Sequence, residues 1–162
     1  MKIVLPLGLL LMMAGCVPPS RIETHRSGSV IPAGSRYLWF VPEGEAPHLS
    51  EARRARLALA LAGRGLTSVS PGEKADYLLL VTQARRGAEN GLAPSVTPPG
   101  QEPAWIAPPG KRGRQVSTLE LKFLDPATGR QIAAIAAVGR HGRRETDAMP
   151  DRLIDAALGT GL

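Results

Sequence analysis

Residues 117–138, STLELKFLDPATGRQIAAIAAV, constrain the fold more than any other stretch of the chain. On the first arm Leu119, Leu121 and Phe123 alternate with Thr118, Glu120 and Lys122. That period of two belongs to a strand with one buried and one wet face. The interruption Asp125-Pro126-Ala127-Thr128-Gly129 supplies turn chemistry: Asp bonds forward to the backbone, Pro fixes φ and Gly accepts a positive φ. The second arm is apolar on both sides, with Ile132, Ala134, Ala136 and Val138 on one and Ala133, Ile135 and Ala137 on the other. A strand of that kind belongs inside a sheet, with neighbours on both edges.

The remainder of the chain supplies further elements. Arg36-Tyr37-Leu38-Trp39-Phe40-Val41 reads as a strand stopped by Pro42, with Tyr37 and Trp39 on one face. A helix runs over residues 51–62 behind Ser50 as N-cap, with Ala55, Ala58, Leu59 and Ala62 as its apolar stripe, and Leu57 and Leu61 beside it. Residues 66–69 form a short strand, and 75–82 a nearly continuous apolar strand suited to the middle of the sheet. A second helix covers 150–158, with Pro150 in its first turn and Leu153, Ile154, Ala157 and Leu158 facing the core. The expectation is an α+β domain, with a four- to five-stranded antiparallel or mixed sheet and two helices packed on one face. With 43% hydrophobic but only 4% aromatic residues, the 162-residue chain has material for one mainly aliphatic core.

Two stretches stand apart from that domain. Residues 84–115 are crowded with Pro and Gly, and this is longer than the roughly 12–15 residues a compact domain usually tolerates without structure. Trp105 is its one aromatic side chain and the candidate for contact with a partner. The other is the N-terminus, MKIVLPLGLLLMMAGC: a charged start at Lys2, an apolar run to Met13, then small residues before Cys16. The run falls short of the ~20 apolar residues that span a bilayer and matches the apolar region of a secretory leader.

The Ala14-Gly15-Cys16 ending resembles the lipobox of bacterial lipoproteins. The resemblance implies cleavage after Gly15 and acylation of Cys16, with palmitate among the chains carried. Val17, in place of an Asp after the cysteine, implies the periplasmic face of the outer membrane in a Gram-negative envelope. Residues 1–15 are then a signal peptide, 16–34 the lipidated cysteine with a flexible tether, and 35–159 a single domain. Four further stretches in order, Tyr37-Leu38-Trp39, LAGRGL at 61–66, ADYLL at 75–79 and LDPATGR at 124–130, resemble the bacterial lipoprotein family carrying domain of unknown function 4136. That resemblance implies a lipid-anchored α+β domain, and brings no functional residues with it.

The chemistry-bearing residues are sparse. Cys16 is the single cysteine, so no intramolecular disulfide and no cysteine-based metal cluster can form. His25, His48 and His141 fall in tether, loop and turn without the spacing of a metal site. Asp76, Glu120, Asp125, Asp147, Asp151 and Asp155 stand mostly at strand ends, turns and helix starts, where capping accounts for them. No Gly-x-Ser-x-Gly elbow or phosphate-cradling loop is present. The net charge of +6 comes from arginines scattered along the chain, without the interleaved aromatics of a nucleic-acid binder. The sequence therefore points to a non-catalytic envelope protein without a cofactor or metal site. It would be tied to the membrane through Cys16 and offer the domain to another envelope protein rather than to nucleic acid. A binder or carrier of a lipid or anionic glycan is the alternative.

Overall fold

In the computed structural model, residues 21–87 and 114–159 are described. Their elements are β1 (Arg21–Gly28), β2 (Arg36–Phe40), α1 (Glu51–Ala62), β3 (Thr67–Ser68), β4 (Tyr77–Gly87), β5 (Gln115–Leu124), β6 (Gln131–His141), a 3-10 turn at Arg143–Glu145, and α2 (Met149–Gly159). The strands form one mixed sheet in the order β1-β6-β5-β4-β2-β3. β2 runs parallel to β3 and β4, and the other pairs are antiparallel.

The β5–β6 hairpin forms as its turn chemistry dictates. Asp125 Oδ1 accepts hydrogen bonds from the amides of Ala127 (2.9 Å) and Thr128 (2.8 Å) and from the Thr128 hydroxyl (3.0 Å). Gly129 adopts φ 68°. These bonds favour the charged carboxylate and hold the Asp125 carboxyl below its ordinary value, the Thr128 amide contributing most.

Cross-strand register sorts the side chains onto two faces. Leu79, Phe123 and Ala133 form one cross-strand row, and Val81, Leu121 and Ile135 the next. They join Leu57 and Leu61 of α1 and Leu153, Ile154, Ala157 and Leu158 of α2 in a single core cluster, so both helices lie on this face. Gly139 lets α2 come close: a Cβ there would stand 2.5 Å from Met149 Sδ and 3.4 Å from Leu153.

The sheet has six strands rather than four or five, because residues 21–28 belong to it. This segment, read from its composition as part of a tether, is the edge strand β1, paired residue for residue with β6. The reason lies in β6, whose two apolar faces bring it inside the sheet and leave a second backbone edge that needs a hydrogen-bonding partner. Gly28 ends β1 at φ 82°, where any Cβ would collide with Ile132 O.

Two smaller corrections concern α1 and β4. The helix spans the expected residues, but it buries Leu57 and Leu61 and leaves Leu59 77% exposed. The larger area of two leucines one turn apart outweighs an alanine stripe when the helix settles on the sheet. Ser50 occupies the N-cap position without a side-chain capping bond. β4 continues to Gly87, beyond the expected start of the Pro- and Gly-rich excursion, because Ala84 to Gly87 pair with Thr118 to Gln115.

Candidate functional site

Both residues singled out by the sequence, Cys16 and Trp105, lie outside the described residues. Most of the acidic residues have structural partners. Asp76 accepts the Arg36 amide at 2.8 Å, and Glu120 faces Lys122 at 3.3 Å. Asp151 and Asp155 of α2 meet Arg53 and Arg56 of α1, with Arg56 Nη2 at 2.8 Å from both Asp155 oxygens. That hydrogen bond holds the Arg56 guanidinium in its charged form still more firmly than usual. Arg53 and Arg56 thus bridge from α1 to α2, and Arg54 lies 5.3 Å over the Trp39 ring.

The most chemically suggestive pair is one that sequence spacing did not reveal. Ser117 on β5 and His141 at the end of β6 are 24 positions apart, and their Oγ and Nε2 atoms are 2.9 Å apart. His141 Nδ1 lies 2.9 Å from Gly142 O, a carbonyl that can only accept, so Nδ1 carries the proton and Nε2 accepts from the serine hydroxyl. This is the tautomer of a serine nucleophile with its base, but Nδ1 is oriented by a carbonyl instead of a carboxylate. Ser117 is 2% and His141 1% exposed, leaving no room for a substrate at Oγ. Thr146 Oγ1 donates to Gln115 Oε1 at 2.8 Å beside them. The pair pins β5 and β6 to the chain leading into α2, and its chemistry is that of a satisfied buried histidine.

The other histidines do not converge with it. His48 is 3.5 Å from Glu45 in the loop before α1, and His25 projects from β1 on the sheet face away from the helices, opposite Ala136. Among the described residues no group of three or more His, Cys, Asp or Glu side chains could hold a metal ion. No described helix is long and apolar enough to cross a membrane.

Small cavities are present among the described residues. One of about 80 Å³ lies between the end of β1 and the hairpin, against Arg26, Gly28, Ile31, Phe123 and Ala133. Another, about 20 Å³, lies by Trp39, Phe40, His48 and Arg54. Apart from these lies the sheet face away from the helices. There Leu38 pairs with Leu78 and Phe40 with Leu80, an apolar strip over β2 and β4 that no described helix covers. Phe40 is 37% exposed, and the three leucines are partly buried.

No protein-family model matches the chain, and no curated protein matches it. Among solved structures it is similar to the PelC dodecamer from Paraburkholderia phytofirmans, at 13% identity and a TM-score of 0.48 over 86% of this chain and 95% of that one. A point variant of the same dodecamer gives 15% identity and 0.48 over 86% and 94%. A PDZ domain protein from Parabacteroides distasonis gives 10% identity and 0.45 over 85% of this chain and 36% of that one. Likeness at this level says nothing of what the chain binds or does.

Proposed function

We propose that the chain is a lipid-anchored envelope protein whose folded body acts as a non-catalytic protein-interaction module. Acylation of Cys16 holds it at a membrane, on the periplasmic face of the outer membrane in a Gram-negative cell. The observation that carries the interaction reading is the apolar strip of Leu38, Phe40, Leu78 and Leu80 on the sheet face away from both helices. A strip of this kind, with Phe40 37% exposed, three partly buried leucines and the Lys122–Glu120 pair beside it, has the character of a protein contact.

The carrier reading draws less support, since cavities of about 80 and 20 Å³ are far below the roughly 300 Å³ at which small-molecule pockets begin.

A photo-crosslinking residue placed at Phe40 in living cells tests the proposal, with one at Leu59 on the solvent side of α1 as control. A defined protein adduct from position 40 and none from 59 is the expected result, and a parallel probe at Trp105 asks whether that segment shares the partner. Equal, diffuse labelling from 40 and 59 would remove the interaction module. The anchor is tested separately, by palmitate incorporation into the chain and its loss in Cys16→Ser.

A further inference from the structure

Because β1 is already formed at Arg21, at most the four residues 17–20 separate Cys16 from the sheet. Five residue steps, fully extended, reach about 17 Å. That is under half the length of the eleven-residue strands β4 and β6, at about 3.4 Å per residue. A body on so short a lead cannot turn freely above a bilayer. One end of the sheet, the end where β1 starts, stays at the headgroups.

That end is basic. The register places Arg21 opposite Arg140, Arg140 opposite Val116, and Val116 opposite Arg86, so three of four positions in one cross-strand row are arginines. Arg114 precedes β5, and Arg143 and Arg144 form the 3-10 turn directly after β6, all at the same end. Arg21, Arg143 and Arg144 are exposed. Among the described residues acidic side chains here are fewer, and two of them are engaged: Glu23 lies 3.6 Å from Arg21, and Glu145 3.5 Å from Arg152. The opposite end, with the 125–130 turn and the loop before β4, balances Asp125, Glu73 and Asp76 against Arg130, Lys74 and Arg36.

We propose that the arginine-rich end around Arg21, Arg143 and Arg144 is a membrane-docking surface that binds the phosphates of anionic phospholipid headgroups. The inference rests on the reading of Cys16 as lipidated and extends it: the anchor brings this end to the surface, and the arginines fix the orientation of the body upon it. Guanidinium forks match phosphate oxygens in geometry and charge, and anionic leaflets attract basic clusters close to an anchor.

The test uses the full lipidated chain, purified from membranes and reconstituted into vesicles of phosphatidylcholine alone or with phosphatidylglycerol. With Cys16 blocked by lipid, one fluorophore is attached through Gly142→Cys at the basic end, where a side chain meets open space, or through Ala127→Cys at the other end. A headgroup-attached quencher is expected to quench position 142 several-fold more than 127. The difference should grow with phosphatidylglycerol, shrink in high salt, and drop at least threefold in Arg21→Gln/Arg143→Gln/Arg144→Gln, whose circular dichroism and melting temperature verify folding. Equal quenching at the two positions, or indifference to phosphatidylglycerol and salt, would overturn the docking surface while leaving the anchor standing. A chain recovered without lipid on Cys16 would overturn both.

Discussion

The two faces of the sheet are built from the same strands yet do different work. On the helix side, Leu121 lies between Val81 and Ile135 with no exposure, in the core cluster that both helices join. One residue away on the other side, Lys122 lies between Leu80 and Ala134, and is paired with Glu120 at 3.3 Å. The first face is held by close packing; the second keeps its leucines beside β2 partly accessible and its charges paired on the surface. The contrast is one of degree: on the second face too Val116, Leu124, Ala134 and Val138 are buried, while Leu38, Leu78 and Leu80 near β2 are only partly so.

The largest expected effect tests that contrast directly. Leu121→Ala should lower stability by about 3–4 kcal/mol in urea unfolding, as for a fully buried leucine, and Leu80→Ala by less than about 1 kcal/mol. A comparable loss from Leu80→Ala would mean that the second face is as tightly covered as the first. Next comes Gly139→Val, whose added carbons meet Met149 and Leu153. It should cost about 1–3 kcal/mol, and Gly142→Ala, facing open space, should be nearly silent by the same measurement.

Tyr37 gives a smaller effect of opposite sign. Its ring is buried and packs edge-on to Trp39 at 5.7 Å, but its hydroxyl has no hydrogen-bond partner among the described residues. Tyr37→Phe should therefore leave stability unchanged or raise it by up to about 1 kcal/mol. Burial pushes the phenol from 10.0 up to about 12. Because the folded state resists ionisation, the contribution of Tyr37 is intact below pH 10.0 and is lost as pH rises towards about 12. The difference in melting temperature between the native chain and Tyr37→Phe should follow that window.

The smallest effect belongs to the turn. With its carboxyl held below the ordinary value of 3.8, Asp125 stabilises the fold above that pH and loses its contribution as pH falls through the lower folded-state value. The gap in urea midpoint between the native chain and Asp125→Ala should narrow on acidification. A gap independent of pH would show that the turn bonds do not depend on the carboxylate.

Much of the frame was legible in local pattern. The hairpin, its turn, the central place of β4 and the apolar side of α2 follow from alternation, turn residues and helical spacing, which act over a few neighbouring positions. The Pro- and Gly-rich stretch of residues 84–115 was equally visible as a change of composition, although its two ends, to Gly87 and from Gln115, belong to β4 and β5. Gly87 and Gln115 are paired neighbours, so β4 and β5 keep their register up to that pair. What escaped depended on distance: the Ser117–His141 pair joins two strands through a register that no motif records, and the choice of Leu57 over Leu59 was made by the sheet beneath α1.

By itself the sequence determined that β5 and β6 pair through a tight turn and that β6 lies within a sheet, because two apolar faces on one strand are stable only when both are covered. Tertiary structure alone decided which segment became β6's outer neighbour. RIETHRSG carries little apolar signal, since an edge strand is held chiefly by backbone hydrogen bonds to one partner, and those bonds do not depend on side-chain type.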